Sequence, residues 1–256
     1  MTGEELKKAR GYEVVVKNDL IQKSRYELTA TQQKLLLYMI SKITPYDEAG
    51  MEYKITIADF CQVCNFNTDG GRYKAVVRDA LIFLKSKVFI IPIGENRKEA
   101  YVNWFRDCEV DYDTGEILYT FSKHLLPYLY ELNNYFAKFP LEYILPMKKE
   151  YGIRLYEYLK SIYYKKHKYV VDVEELRRRL GCENSYPAFK DFRVSVIEPA
   201  VEEINKYTDI VVKATPIKNG RSYTQYEFEI IEVSKYSVWL ERRDARNERL
   251  NGEKEG

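Results

Sequence analysis

One local pattern occurs twice in this chain, 116 residues apart. Tyr53-Lys-Ile-Thr-Ile-Ala-Asp-Phe-Cys-Gln-Val-Cys64 reads as a short strand followed by a capped apolar helix, and Tyr169-Val-Val-Asp-Val-Glu-Glu-Leu-Arg-Arg-Arg-Leu180 reads the same way. Thr56 aligns with Asp172, and both residue types favour the helix N-cap, where a side-chain oxygen accepts from an orphan backbone N–H. Phe60 aligns with Leu176, Cys64 with Leu180 and Lys74 with Lys190. Each copy follows an apolar helix and precedes a partly basic helix and strand-like runs. Helix, strand, helix, basic helix, hairpin is the order of a winged helix-turn-helix. The expected fold class is therefore α+β, with two tandem winged helix-turn-helix domains. A chain of 256 residues is long enough to bury a separate core in each.

The composition, 45% hydrophobic and 31% charged, is that of a globular protein in water. No apolar run reaches 18 residues and no signal peptide is evident, so a cytoplasmic protein without membrane contact is expected. Cys61 and Cys64 form a C-x-x-C, but no second pair stands at zinc-site spacing, and they read as small apolar positions. No metal or cofactor is expected. The net charge of +2 is uninformative, but its distribution is not. Met147–Arg193 holds twelve Lys/Arg against seven Asp/Glu, and Val211–Tyr226 holds three basic residues and no acidic ones. Glu95–Tyr119 holds three basic and seven acidic residues, a poor surface for phosphate.

Residues 1–13 are polar and expected to fray. Val14–Val16 reads as a strand. Thr29-x-x-Gln32 reads as a capping box opening a helix to about Ile43, with Leu36, Ile40 and Ile43 facing a core. Gly70-Gly71 marks a turn before a helix from Arg72 to about Lys85. Lys87–Ile93 and Tyr101–Val110 read as two strands, Asp111–Gly115 as a turn and Glu116–Phe121 as a third strand. Residues 123–146, broken by Pro127, Pro140 and Pro146, read as connecting helix and loop. A helix over 148–164 places Leu155, Tyr158, Leu159 and Ile162 on a core stripe. Asp172 caps the next helix and Gly181 stops it. Ser185-Tyr186-Pro187 is expected to start the helix after that, which runs kinked through Pro199 to Tyr207. Ile210–Thr215 and Tyr223–Glu232 flank a hairpin with an Asn-Gly turn. Residues 236–256, with five acidic and five basic side chains, read as a solvated helical tail. The expected domains are 14–126, 127–235 and the tail 236–256.

In this reading the segment from Tyr186 to about Val196 enters a DNA major groove. Tyr186, Lys190 and Arg193 are its candidate DNA contacts, Arg193 as a bidentate donor to guanine. The alternative for Lys190 and Arg193 is ordinary helix-surface charge. Lys213, Lys218 and Arg221 flank or occupy the hairpin tip, as a wing against backbone or minor groove requires. Arg177-Arg-Arg179 sits on the preceding helix, where one of the three can reach phosphate and at least one is expected on a solvated face. In the first copy Arg72, Lys74 and Arg78 recur at helical spacing and suit phosphate contacts, while the acidic strands after them suit a protein partner. Most of the 24 tyrosines sit at core spacing and read as packing.

Catalysis has little support in the residues. His124 and His167 are 43 residues apart, which does not suit a two-histidine nicking site. No Gly-x-x-x-x-Gly-Lys-[Ser/Thr] loop is present. Asp111 and Asp113, before Thr114-Gly115, read as turn residues. The residues alone do not separate a replication initiator from a transcriptional repressor of the same fold without a replication role, while the missing catalytic residues argue against an endonuclease or relaxase.

Val15-Val-Lys-Asn-Asp-Leu-Ile21 followed by Leu28-Thr-Ala-Thr-Gln-Gln-Lys-Leu-Leu36 resembles the iteron-binding plasmid replication initiators of the RepB/RepE/Pi type. So do Tyr151-Gly-Ile-Arg-Leu-Tyr-Glu-Tyr-Leu159, Phe189-Lys-Asp-Phe-Arg193 and Glu203-Ile-Asn-Lys-Tyr-Thr208. The resemblance runs from about residue 14 to 235. It implies two winged-helix domains that bind repeated origin sequences in double-stranded DNA and start theta-type replication, without enzymatic activity. It further implies base readout by the C-terminal domain, backbone contacts and a repressive homodimer through the N-terminal one, a monomer–dimer equilibrium, and host replication proteins as partners. Carried over, Arg193 falls on the recognition helix, and Lys218 and Arg221 on the wing. Some relatives carry an arginine run after Asp-Phe-Arg, where this chain has Val194 and Ser195.

Overall fold

Local signals set the frame of each copy. The computed structural model describes residues 2–66, 71–93, 98–163 and 167–233. A lead-in of α1 (Gly3–Arg10), β1 (Glu13–Lys17) and α2 (Asn18–Lys23) comes first. The first copy follows, with α3 (Ala30–Ile40), β2 (Tyr53–Thr56), α4 (Ile57–Val63) and α5 (Arg72–Ser86). The strands β3 (Phe89–Ile93), β4 (Lys98–Val102), β5 (Phe105–Asp111) and β6 (Glu116–Phe121) complete it. A connection of α6 (Leu126–Leu129) and β7 (Phe136–Pro140) leads to the second copy. That copy comprises α7 (Glu150–Tyr163), β8 (Lys168–Asp172), α8 (Val173–Leu180), α9 (Phe189–Phe192), α10 (Glu198–Tyr207), β9 (Ile210–Asn219) and β10 (Ser222–Glu232).

The two copies share a sheet topology. In each, the short strand before the helix pair joins the last strand, which also pairs with its hairpin partner, giving the orders β2-β6-β5 and β8-β10-β9, all antiparallel. Phe60 and Leu176, aligned by the repeat, are both fully buried. Thr56 caps α4 by accepting from the Asp59 N–H at 3.0 Å. Asp172 stands at the equivalent N-cap, but its carboxylate accepts from Gln225 Nε2 at 3.0 Å instead, tying the start of α8 to β10. The capping box at Thr29 and Gln32 opens α3 as its sequence predicts.

Several expectations need correction. Residues 2–13 are structured, because a Thr2/Glu5 capping box starts α1 and Arg10 donates to the Val63 and Gln62 carbonyls at the end of α4. The run Tyr101–Val110 is two strands, split where buried Trp104 stacks on Phe89 at 4.4 Å and Asn103 donates to the Lys85 carbonyl. Residues 136–140 form a strand, paired antiparallel with β1 from Glu13↔Pro140 to Lys17↔Phe136. A β-ladder thus crosses the expected boundary at 126/127. The helix does run on through Pro199 to Tyr207, as expected, and the departure lies in the turn before it. Arg193–Ile197 forms a wider π turn, in which the Glu198 N–H donates to the Arg193 carbonyl, and Pro199 falls in the first turn of α10, where a missing N–H costs little. The 236–256 tail lies outside the described residues.

The helix α7 joins the two copies. Beyond its expected stripe it also buries Ile153, Arg154, Tyr156, Glu157 and Ser161, because α2 and α3 lie against it from the other side. Arg154 is central to this join. Its Nε donates to the Arg179 carbonyl at the end of α8 at 3.0 Å, and its Nη2 to the Ile21 and Ser24 carbonyls at 2.9 and 3.1 Å. Its Nη1 donates to the Tyr26 hydroxyl, over whose ring the guanidinium lies at 4.2 Å. One guanidinium therefore satisfies the last carbonyls of two helices from different parts of the chain, groups that helix geometry leaves orphaned. Gly181 completes the contact. It ends α8 with φ +73°, and a Cβ there would meet the Tyr26 carbonyl oxygen at 2.6 Å.

Candidate nucleic-acid interface

The C-terminal copy holds its basic helix and hairpin together through aromatic rings. Phe189, at the start of α9, stacks on Tyr223 of β10 at 4.6 Å with 17° between the planes, and on Tyr226 at 5.7 Å. Tyr226 stacks on buried Phe228 at 5.8 Å. The Lys218 ammonium sits 4.9 Å above the Tyr223 ring from the other strand, where register places Lys218 opposite Tyr223. The hairpin turns through Gly220-Arg221, with Gly220 at φ +62°. Pro216 is tolerated because β9 is an edge strand. Lys190, Lys218 and Arg221 are exposed, and the Phe189–Tyr223 stack joins the helix start to the strand that carries the wing. Among the described residues Arg221 has no hydrogen bond or ion pair.

The turn before α9 is built by an arginine. Arg177 is only 3% exposed, with Nη1 donating to the Ser185 and Tyr186 carbonyls. Its guanidinium lies 4.3 Å from the centre of the buried Phe192 ring. Tyr186 adopts a left-handed φ of +54°, and its ring meets that of Tyr151 edge-on at 6.1 Å. The helix accordingly starts at Phe189, three residues later than Tyr186, with Ala188 as its N-cap. Tyr186 is half-buried and belongs to the turn that aims the helix. Of the arginine triplet, Arg177 is buried and Arg178 is the most exposed. Arg178 and Arg179 both pair with Glu175, at 2.7 Å, and Arg179 also covers Tyr158. The missed role of Arg177 is legible in retrospect, since Val173, Leu176, Arg177 and Leu180 follow helical spacing on the buried side of α8.

Other candidates fall elsewhere. Arg193 is half-exposed, its Nε 3.3 Å from Glu198 Oε1 without hydrogen-bond alignment, and it faces a groove beside β9. Lys213 is exposed, but register places it opposite Glu229, well back from the hairpin tip. Val194 and Ser195 are exposed beside Lys190 and Asp191. In the N-terminal copy Arg72 and Lys74 are exposed in the first turn of α5, behind left-handed Gly71. Arg78 is exposed and pairs with Asp79 at 3.2 Å. Three cations in the first two turns of a helix oppose its dipole, an arrangement that an anionic partner relieves. The N-terminal hairpin is acidic, with Asp111 Oδ1 accepting from the Asp113 and Thr114 N–H groups at its turn. Burial pushes the thiols of Cys61 and Cys64 up to about 11 and about 12, which keeps them protonated at neutral pH. No helix among the described residues is long and apolar enough to cross a membrane.

Known proteins share this arrangement. A family described as "Initiator Replication protein, WH1" matches residues 13–160, and "Initiator Rep protein, WH2" matches residues 172–230. The first match ends inside α7, the helix that both copies share. A replication initiation protein of Escherichia coli is 25% identical over 249 residues, covering 94% of this chain and 76% of that protein. The PI protein of Escherichia coli is 26% identical over 136 residues, covering 46% of this chain and 45% of that one. The crystal structure of Pi initiator protein in complex with iteron DNA has the same fold, with a TM-score of 0.69 at 19% identity over 87% of this chain and 98% of that one. A repressor without a replication role does not fit these matches. With both winged-helix units matched in order over most of its length, the chain belongs to the initiator replication protein family.

Proposed function

We propose that this chain starts theta-type plasmid replication by binding repeated origin sequences, or iterons, in double-stranded DNA. The C-terminal winged helix reads bases and the N-terminal one grips backbone. The observation that carries the reading is the Phe189–Tyr223 stack, which ties the start of the recognition helix to a wing whose tip is basic. The Pi initiator protein, which has this fold and was crystallised in complex with iteron DNA, supports it. In this reading Lys190 and Arg193 work on the major groove, with Tyr186 beside them. Lys218 and Arg221 lie along backbone, with Lys213 further out, and Arg72, Lys74 and Arg78 neutralise phosphates. Arg193 has to exchange Glu198 for guanine.

The residues from about 14 to 126 carry self-association, since their acidic hairpin is poor DNA surface. The resulting homodimer, in equilibrium with monomer, represses the chain's own gene. Host replication proteins are its partners at the origin, and the chain itself neither cuts DNA nor hydrolyses nucleotides.

Binding of Arg193→Ala and Arg221→Ala to cognate and scrambled duplexes, at several salt concentrations, tests the reading. Arg193→Ala is expected to cost about 1–3 kcal/mol on the cognate repeat and to relax preference at one position. Arg221→Ala is expected to weaken all sequences alike and to flatten the salt slope by about one unit. Unchanged affinity and discrimination in Arg193→Ala means that another face of the helix meets DNA.

A further inference from the structure

The start of α7 lies between the turns that lead into the two basic helices. On one side Tyr151 meets Tyr186 edge-on at 6.1 Å, in the turn before α9. On the other, Pro146 and Lys148 share a cleft of about 630 Å³ with Asn65 and Phe66, which end α4 on the way to α5. Asn65 takes a left-handed φ of +53°, and the Phe66 N–H donates to the Cys61 carbonyl at 2.9 Å, which fixes this rim. A third wall comes from α3, whose Gln33 donates to the Glu150 carbonyl at 3.1 Å.

The cleft is basic. Among the described residues that line it, Arg10, Lys34 and Lys148 stand against Glu142. The nearby Glu203 carboxylate is committed elsewhere, because it accepts from the Lys148 and Lys149 N–H groups at 2.8 and 3.1 Å and so caps α7. Arg10 already serves the Val63 and Gln62 carbonyls. Lys34 is half-buried and Lys148 is exposed, and among the described residues neither ammonium has a hydrogen bond or ion pair. Burial lowers the pKa of Lys34; Cys64 and Glu203 act against that, and Lys148 acts with it. Two unpaired ammonium groups facing one cleft repel each other, and an oxyanion between them removes the repulsion.

A phosphate group fits this chemistry, and the position of the cleft decides its source. A duplex held by α5 and α9 at once crosses the segment between the two turns, where the cleft lies. We infer, on the reading above that both copies hold one duplex, that Lys34 and Lys148 seat a backbone phosphate between the two half-sites. The seat carries no sequence information and fixes the position of the two winged helices along the duplex.

Duplex binding by the full chain tests the seat, with one repeat from the DNA that flanks its gene and with a scrambled duplex. Lys34→Gln and Lys148→Gln are each expected to weaken both duplexes about threefold or more in ~0.1 M salt, and together to flatten the salt slope by about one unit. A neutral methylphosphonate is then placed in turn at each linkage midway along the repeat. At one position it is expected to weaken the unaltered chain by the same factor and to cost Lys148→Gln nothing. Lys148 is exposed, so this arm does not depend on how Lys34→Gln folds. Unchanged affinity and salt slope in the double variant, while Arg221→Ala still weakens binding, overturn the seat and leave the reading above intact. An unaltered chain that binds no repeat overturns both. Inorganic phosphate or ATP at millimolar concentration that raises the Tm of the unaltered chain but not of Lys34→Gln, with duplex binding equal in the two, assigns the cleft to a soluble phosphate compound and overturns the DNA seat.

Discussion

Arg177→Ala is expected to destabilise the fold by about 3–5 kcal/mol and to weaken DNA binding further than the loss of folded protein explains. The physical reason is that the substitution leaves the buried carbonyls of Ser185 and Tyr186 without a donor and uncovers the face of Phe192. Each orphaned buried acceptor costs about 1–3 kcal/mol, and the lost packing adds to that. The same carbonyls belong to the left-handed turn that aims α9. Folded molecules that survive the change therefore present α9 at varied angles. Arg177→Lys is expected to rescue little, because an ammonium cannot fork to two carbonyls and lie flat on a ring. Urea unfolding followed by duplex binding at a temperature where both proteins are folded checks both parts. A loss below about 1 kcal/mol means that the turn holds without the arginine.

The second large effect is expected at Arg154. Arg154→Leu keeps the volume but leaves the Ile21, Ser24 and Arg179 carbonyls unpaired, and strands Glu157, whose carboxylate lies 3.9 Å from the guanidinium with both side chains buried. Breaking a buried charge pair by removing one partner costs about 3–5 kcal/mol. Burial pushes the Glu157 carboxyl up to about 7, against the pull of Arg154. Because that folded value is above the unfolded one of 4.5, the native state holds the proton more tightly. Its contribution to stability is complete below about pH 4.5 and is lost as pH rises through 7. Glu157→Gln is expected to be free of that loss, so the stability difference between variant and unaltered protein should grow in the variant's favour between pH 5 and 8. A difference that stays constant over this range contradicts the assignment.

The two-copy frame was legible because each copy is written in local signals, such as the capping box at Thr29 and Gln32 and the alternation before Thr56 and Asp172. The hairpin was legible for the same reason, although it turns one residue after the expected Asn-Gly, through Gly220-Arg221. What stayed hidden is long-range. β1 and β7 are more than 110 residues apart, and neither strand names its partner. The burial of Arg154 depends on α2 arriving from the other end of the chain, and no periodicity in α7 encodes that. Asp172 has the right residue type for a cap but gives its oxygen to Gln225, a choice that the sheet makes. For the candidate site, Lys190, Lys218 and Arg221 fall on exposed positions of the expected elements. Arg193 and Tyr186 sit among neighbours, Glu198 and Tyr151, that sequence spacing does not reveal.

In the proposed function the C-terminal winged helix of this chain recognises a repeated DNA sequence. Footprinting of the full chain on the DNA that flanks its gene tests it most directly, beside the Arg193→Ala and Arg221→Ala proteins. Protection is predicted over direct repeats of about 20 base pairs, roughly one half-site for each winged helix, with Arg193→Ala losing the repeats selectively and Arg221→Ala losing affinity throughout. Uniform protection without repeats, or repeats protected equally by all three proteins, would contradict it.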